Sequence, residues 1–264
     1  MVTVVCMKWG TPFPADYVNV LYHGVRRNLS QPFRFVCFTD DPIGLDPQIV
    51  TRPIPENGLP PELWKSGCWP KLSIFKSGAF DDLGKTEMAL YLDLDMMVQG
   101  PLDQFFERAK SMGGFHILRE WNPAFWNMFP IGLRPDRGCQ GSVFAWVPGE
   151  HDYIFEKMIS NNFENPYQYV NDQAFLTDTA KDRHYWPHEW CVSFKRTCLW
   201  YYPFNLLFNK VPQPRKARIV VFHGNPRPVD LIHEGNFRWG TSRKFGFGSV
   251  KWVKDYWHSG LQNQ

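Results

Sequence analysis

The chain opens on a β-branched run, Val2-Thr3-Val4-Val5-Cys6, that ends at Lys8-Trp9-Gly10. Tyr17 to Asn28 follows, with Val18, Leu21, Tyr22 and Val25 on one helical face, and Phe33 to Phe38 is a second apolar run ending in Thr39-Asp40-Asp41. Strand, helix and strand in this order constrain the fold more than any other feature. The two strands must run parallel, and a parallel sheet has to be covered on both faces. Pro and Gly punctuate residues 53 to 61 as a loop, Leu72 to Phe80 reads as a helix, and Met88 to Leu92 is a third strand. Gln104 to Lys110, Tyr153 to Ile159 and Asp172 to Thr177 read as further helical segments. Gly114 to Leu118, Ser142 to Val147 and Ala217 to Phe222 read as strands, and the alternation is less regular here than in the first half. The expectation is an α/β fold with a mixed, mainly parallel central sheet flanked by helices.

The third strand carries the chemistry. Leu90-Tyr91-Leu92-Asp93-Leu94-Asp95 places two carboxylates two residues apart where an apolar strand leaves the sheet. Side chains at that spacing point to the same side, so both can address one cation. Like charges in such a place need neutralising, and hard oxygen ligands suit Mg²⁺ or Mn²⁺. Asp-x-Asp alone serves equally well to cap a turn. The carboxyl end of a strand in an open α/β sheet is, however, where ligands bind, and a regular parallel half suits a nucleotide.

With 264 residues, 44% of them apolar, and no Ser/Gly-rich linker, the chain reads as one domain over residues 1–264. Its 12 Trp, 22 Phe and 10 Tyr can fill a core or line a sugar-binding cleft. A net charge of +3 argues against a nucleic-acid binder, which shows a concentrated basic face. Between Phe237 and His258, Arg238, Arg243, Lys244, Lys251 and Lys254 interleave with aromatic rings. This suits either peripheral contact with anionic head groups or a C-terminal helix packed by Trp252 and Tyr256. The cysteines, Cys6, Cys37, Cys68, Cys139, Cys191 and Cys198, have no zinc spacing and read as free thiols of a reducing cytosol. The initial apolar run is too short for a signal peptide, and no segment approaches the roughly 20 apolar residues of a membrane span. The expected location is cytoplasmic, peripheral on the inner face of the membrane.

The N-terminal βαβ unit, the strand-end Asp93-Leu94-Asp95 and the late strand ending in Val221-Phe222-His223-Gly224 together resemble a GT-A fold glycosyltransferase. The order is similar to the glycogenin and lipopolysaccharide galactosyltransferase group, family 8, over roughly residues 2 to 228. The resemblance implies a nucleotide-sugar-binding half at 1–110, an acceptor half at 111–230 and a basic aromatic C-terminal extension at 231–264. It implies that Asp93, Asp95 and His223 hold Mn²⁺ or Mg²⁺ against the diphosphate of a UDP-hexose. Alone, His223 equally suits a strand-end histidine bonded to backbone. The family's late motif spaces His and Gly three apart and continues Lys-Pro-Trp, whereas here they are adjacent and Arg227-Pro228-Val229 follows, so Arg227 takes the role of phosphate-binding cation. Lys71, in Trp69-Pro70-Lys71-Leu72, corresponds to a basic donor contact, or is a solvated helix lysine. Lys8 and Asp40 fall where the family binds uridine, with Asp41 beside them as contact or turn residue.

Gly138-Cys139-Gln140-Gly141-Ser142 matches a segment bordering the donor sugar, with Gln140 in place of the usual Asn. Asn171-Asp172-Gln173 matches the Asp-Gln pair near the anomeric carbon, where Asp172 would hold a sugar hydroxyl and Gln173 would face the reacting centre. Asn171 or Asp172 is also a good helix cap. The family retains anomeric configuration. An inverting enzyme needs a carboxylate base, for which Asp172 or Glu120 is available. Rings between Trp121 and Pro130 either plug the core or wall a glycan or lipid-linked acceptor. Two other classes compete. A nucleotidyltransferase needs a Gly-rich basic loop after the first strand, and Gly10-Thr11-Pro12-Phe13-Pro14 is poor in both. A non-catalytic carbohydrate-binding protein has no need of a strand-end acid pair.

Overall fold

The computed structural model describes residues 1–200, 202–207, 211–235, 237–242 and 244–262. The β1 strand (Val2–Lys8) is buried along its whole length, as the unbroken apolar run requires of a central parallel strand. Helix α1 (Ala15–Asn28) carries the chain to β2 (Phe33–Thr39), which pairs parallel with β1, Val2 against Phe33 through Lys8 against Thr39. The short β3 (Val50–Arg52) extends that edge, and β4 (Ala89–Leu92) lies parallel on the other side of β1.

The chain continues through β5 (Met96–Val98), α2 (Asp103–Met112), β6 (Phe115–Arg119), β7 (Cys139–Trp146), α3 (Tyr153–Gln168), α4 (Asp172–Thr179), β8 (Arg183–Tyr185), β9 (Cys191–Ser193), α5 (Phe204–Leu207), β10 (Ile219–Val221) and α6 (Lys251–Leu261). The main sheet runs β3-β2-β1-β4-β7-β6-β8, and a second, three-stranded sheet runs β5-β10-β9. Strand β7 is antiparallel to both its neighbours, so the expected mixed, mainly parallel sheet is observed. Alternation along β1 feeds two apolar layers. Val4 and Cys6 pack towards α1 and α2, while Val5 and Met7 pack towards Trp69–Phe75, α3 and α4. A third layer, including Met97, Val220, Phe222 and Val253, fills the space between the second sheet and α6.

Several elements differ from the sequence reading. The helix expected over Leu72 to Phe80 is a buried 3₁₀ segment, Trp69–Phe75, entered through Cys68 at φ 57° with Pro70 in its first turn. Gly78, at φ 81°, ends it before a second short turn at Asp81–Leu83. Strands β3, β5, β8 and β9 span three residues each, too short to leave a period in the sequence. The last strand is confined to Ile219–Val221 because Ala217 closes a turn on the Pro214 carbonyl. Residues Ser160 to Phe163 leave helical geometry inside α3, so its first part ends where the apolar spacing stops.

The rings of the C-terminal segment turn mostly inward. Trp239 and Trp257 are buried, and Tyr256 accepts a hydrogen bond from the Val98 N–H at 3.0 Å, which ties α6 to the second sheet. This approach needs Gly24 on α1, since a Cβ there would run into the Tyr256 hydroxyl. Phe237 and Phe247 are the exposed rings of that segment among the described residues, and Arg243 lies outside them. No described helix is long and apolar enough to cross a membrane. All six cysteines are unpaired.

His116 tests the packing of the sheet's far edge. Its Nε2 bonds the Gly113 carbonyl at 2.9 Å, its ring lies between His184 and Trp186, and its Nδ1 is buried without a partner. Burial pushes its pKa from 6.5 down to about 4, against the raising effect of the Gly113 bond. The unfolded chain therefore takes up a proton between those values that the folded chain refuses, so this contribution is complete above pH 6.5 and is lost as pH falls towards 4. Urea unfolding at pH 7 and pH 4.5 should show that loss, roughly 1–3 kcal/mol for this group, and His116→Phe should remove its share of the difference.

Candidate functional site

The join between the two sheets builds the site. The Asp93 N–H still donates to Ser142 O on β7 at 2.9 Å, whereas the Asp95 carbonyl already accepts from the Phe222 N–H beyond β10 at 3.0 Å. Between these bonds the chain leaves one sheet and enters the other, with Leu94 buried in the core. The Asp pair is therefore the crossing itself, held by backbone bonds on either side.

Lys71 is the hub beneath it. Its buried Nζ lies 2.9 Å from Asp172 Oδ2 and 3.5 Å from Asp93 Oδ1, donates to the Gly141 carbonyl at 2.9 Å, and sits 5.5 Å from the centre of the Tyr91 ring. Burial works to lower its pKa, but Asp172 and then Asp93 outweigh it and the ammonium is raised above its ordinary value. Burial pushes the Asp172 carboxyl up while Lys71 pulls it down. With Nζ at 2.9 Å the charged pair is the state that satisfies both groups.

A bulge in β7 supplies the carbonyl. Ile117 pairs with Phe144 and Leu118 with Gln140, so Gly141, Ser142 and Val143 have no partner on β6. Their carbonyls go instead to Lys71 Nζ, the Asp93 N–H and Trp186 Nε1. Glycine at 141 keeps this approach unstrained, because a Cβ would stand 3.0 Å from Asp172 Oδ2 and 3.2 Å from Lys71 Nζ and would push the pair aside. Gln140 is buried with both ends of its amide engaged, Oε1 by the Ser142 N–H at 2.8 Å and Nε2 by Ser142 Oγ at 2.6 Å. Asn171 caps α4 by accepting from the Ala174 N–H at 3.0 Å, which leaves the Asp172 carboxylate for Lys71. Gln173 is half-buried, its Cγ 3.7 Å from the position of a Cβ on Gly141.

Asp95 is buried and short of positive charge. Burial, then the Asp93 charge, push its carboxyl up to about 7, while the Gly224 N–H, donating to Oδ2 at 3.1 Å, and Arg227 pull the other way. A carboxylate pair in this condition fits a divalent cation. His223 follows β10 at φ 34°, its Nε2 2.6 Å from Ser193 Oγ and its ring stacked on Trp121 at 5.1 Å. Burial, then Lys195, Arg196 and Arg137, lower its pKa to about 3, so the ring is neutral, as a metal ligand must be. Asp93, Asp95 and His223 nevertheless do not close into one cluster. Among the described residues no group of three or more His, Cys, Asp or Glu side chains is placed to hold a metal ion.

The remaining expected residues sit on the rim. Lys8 is buried and bridges strand ends, donating to Asp41 O at 3.1 Å with Asp41 Oδ2 at 3.6 Å. The exposed Asp40 accepts the Gly10 N–H at 2.9 Å. Arg227 donates to Pro12 O at 2.7 Å and lies 4.3 Å over the Phe13 ring, clasping the late loop to the first one. The sequence shows Gly141 only as part of the Gly138 to Ser142 segment, without a role of its own, and does not single out Ser193 or Lys195. The last donates to His223 O at 2.6 Å and so supports the strained turn. Gly141 had a signal, a glycine inside a strand; Ser193 and Lys195 had none.

The hub makes a stability prediction. Lys71→Met leaves the Asp172 carboxylate buried without its cation and should cost about 3–5 kcal/mol in urea unfolding. The double change Lys71→Met with Asp172→Leu should recover most of that loss, because the buried Asp172 charge is then removed together with its partner, and Asp93, the other carboxylate beside Lys71, is partly exposed.

No protein-family profile and no curated protein sequence matches the chain. Solved structures do. The bifunctional glycosyltransferase WbbM, without ligands, superposes with a TM-score of 0.61 at 11% identity, covering 100% of this chain and 50% of that one. The galactosyltransferase LgtC, in complex with donor and acceptor sugar analogues, gives 0.58 at 13%, covering 98% and 96%. The glycosyltransferase GlyE of Streptococcus pneumoniae TIGR4 gives 0.62 at 14%, covering 100% and 63%. The chain thus spans half the length of WbbM and nearly all of LgtC. At these identities the likeness is one of architecture, and the chain has the GT-A-type fold of these glycosyltransferases.

Proposed function

We propose that the protein is a metal-dependent hexosyltransferase, moving a sugar from a nucleoside diphosphate, UDP-hexose, to a hydroxyl of a glycan or glycolipid. The observation that carries this reading is the Asp93/Asp95 crossing over the Lys71–Asp172 ion pair, at the strand ends of a fold shared with glycosyltransferases. Asp93 and Asp95 would hold Mn²⁺ or Mg²⁺, with His223, which is bonded to Ser193 and does not join them in one cluster here, as the candidate third ligand. The cation would supply the positive charge that a departing diphosphate requires.

The chain's own residues then divide the work. Lys71 positions Asp93 and Asp172, and its ammonium neutralises them from below. Arg227 brings a guanidinium to the diphosphate side, and Lys8 and Asp40 flank the base and ribose. Asp172 and Gln173 address the donor sugar, and Gln140 shapes the bulge under it. Transfer forms a bond from the acceptor oxygen to the anomeric carbon and breaks the bond from that carbon to the diphosphate oxygen. On a front-face route the acceptor proton passes to the leaving diphosphate, so no strong protein base is needed and configuration is retained. Phe237 and Phe247, both exposed and in the same C-terminal segment as the exposed Lys251, suit peripheral contact with an anionic membrane. Sedimentation with anionic vesicles should retain the protein, and Phe237→Ser with Phe247→Ser should release it.

Calorimetry should detect UDP binding that depends on added Mn²⁺, weakened by about tenfold or more in Asp95→Asn. NMR of the transfer product should show the donor's anomeric configuration. Absence of metal-dependent UDP binding would overturn the reading, and an inverted product would overturn its front-face route.

A further inference from the structure

The connection from β6 to β7 forms a closed loop beside the site. Two bonds tie its base: Arg137 Nη1 donates to the Trp121 carbonyl at 2.8 Å, and Asn122 Nδ2 donates to the Pro135 carbonyl at 3.2 Å. Trp121, at that base, is buried and stacks on His223 at 5.1 Å, so the loop stands on the rim of the carboxylate crossing. From Pro123 to Leu133 the sequence carries no charged residue, and two 3₁₀ turns, Ala124–Met128 and Ile131–Leu133, shape it. Its large apolar side chains are left in solvent. Phe125 is 52% exposed, Met128 62%, Ile131 54% and Leu133 68%. The rings of Phe125, Trp126 and Phe129 pack on one another, and none of the three joins a core layer, so they do not plug the core. An apolar surface of this kind calls for a partner.

The chemistry of the loop points to lipid. Its backbone suits an apolar medium: the N–H groups of Trp126, Phe129, Leu133 and Arg134 donate to the carbonyls of Pro123, Trp126, Pro130 and Ile131 within the loop, and Pro123 and Pro130 have no N–H to satisfy. N–H groups bonded only to water would be costly to move into hydrocarbon. Charge is confined to the base, where Arg119, Arg134 and Arg137 meet Glu120 and Asp136 and leave a positive balance for anionic head groups. A glycan is a poorer partner, because Met128, Ile131 and Leu133 offer a sugar neither a ring face nor a polar group. A second copy of the chain is poorer too, since a stable interface takes about 800 Å² from each partner and one loop tip supplies only part of that.

We infer that this loop is a membrane-inserting element: Phe125, Met128, Ile131 and Leu133 enter a leaflet that carries anionic lipid, which sets the carboxylate crossing at the level of the head groups. The inference rests on the glycosyl-transfer reading only for its consequence, that the acceptor is a glycan whose lipid lies in the same membrane. The loop and the exposed C-terminal rings adjoin one turn. Trp121 stacks on His223, while Thr241 Oγ1 lies 3.4 Å from Asn225 Nδ2. One weak apolar element holds a protein to a membrane only reversibly, whereas two acting together hold it firmly, so loss of either releases the chain.

The test uses the full chain with vesicles of phosphatidylcholine and phosphatidylglycerol, some with acyl chains brominated so that they quench a tryptophan that approaches them. Phe125→Ser with Leu133→Ser should weaken partitioning, read by sedimentation, at least about tenfold. Phe125→Leu with Leu133→Met should preserve it. Trp126→Phe should partition like the unchanged chain and lose part of the quenching. Thermal unfolding midpoints close to that of the unchanged chain should show that all three fold, as expected for side chains outside the core layers. Partitioning that the serine pair leaves intact would overturn the inference, as would quenching undiminished in Trp126→Phe or an unchanged chain that stays in solution. A dimer in sedimentation velocity that the serine pair dissociates would also overturn it, the loop then being an interface between copies. UDP titration with Mn²⁺ separates the two readings. Insertion without UDP binding would leave the loop as a membrane element and remove the donor reading, whereas UDP binding without insertion would do the reverse.

Discussion

The buried ammonium of Lys71 is the interaction on which the rest of the site depends. A lone charge at that depth would be prohibitive, and the chain tolerates it only because Asp172, Asp93 and the Gly141 carbonyl arrive from three different elements. Each arrival has its own requirement. Asp172 is released by Asn171 acting as the helix cap, Gly141 is brought close by the β7 bulge and by its missing Cβ, and Asp93 is placed by its backbone bond to Ser142. The cluster is less a source of net stability than a device of registry. It fixes a 3₁₀ segment, a helix start, a bulge and a strand end relative to one another.

That registry matters because the Asp pair lies where two sheets meet. A strand end in a single sheet can fray, whereas the segment from Asp93 to Asp95 is clamped by β7 before it and by the extension of β10 after it. The clamp places a buried carboxylate, Asp95, against a half-buried one, Asp93; the charges of Arg227 and Lys195 reach Asp95, but among the described residues neither forms an ion pair with it. Lys71 spends its charge on Asp93 and Asp172, and Arg227 is turned to Pro12 and Phe13. The two carboxyl groups are therefore held close by backbone geometry, and that closeness, together with burial, pushes the Asp95 carboxyl up.

How much of this was legible in the sequence follows from the range of the interactions. The βαβ opening was legible because β1 and β2 are long unbroken runs, and the Asp pair because it interrupts another such run. Strands β5 and β9 were illegible, since three residues carry no usable period and their pairing is decided by partners far along the chain, whereas β10 was read as a strand with wider bounds than it has. Lys71 was singled out, but its place beneath the Asp pair was not, because that place depends on a bulge about seventy residues away. Leu72 to Phe80 misled through helical spacing, where Pro70, the left-handed Cys68 and complete burial select a 3₁₀ turn instead. The C-terminal rings read either as a membrane-facing surface or as a helix packed by Trp252 and Tyr256, and the packed reading describes Trp239, Tyr256 and Trp257, which are drawn into the third core layer and the α1–α6 contact. Ring content alone carries no information about which face a ring will find.

The two sides of the crossing are built from different materials, and this bears on what each can recognise. On the side of β1 and β2 the strand ends are parallel, closely paired and braced by Lys8, Asp40 and Thr39, so their geometry is rigid and repeats the architecture of the structural neighbours. On the other side, short turns at Ala124–Met128, Ile131–Leu133 and Phe194–Cys198 carry Arg134 and Arg196 on irregular backbone. Such turns accept substitution without disturbing the sheet, and guanidinium groups placed on them alter charge without altering fold. Trp121 is where the two sides meet, and its contact with His223 makes the irregular side part of the same packed unit as the carboxylate crossing.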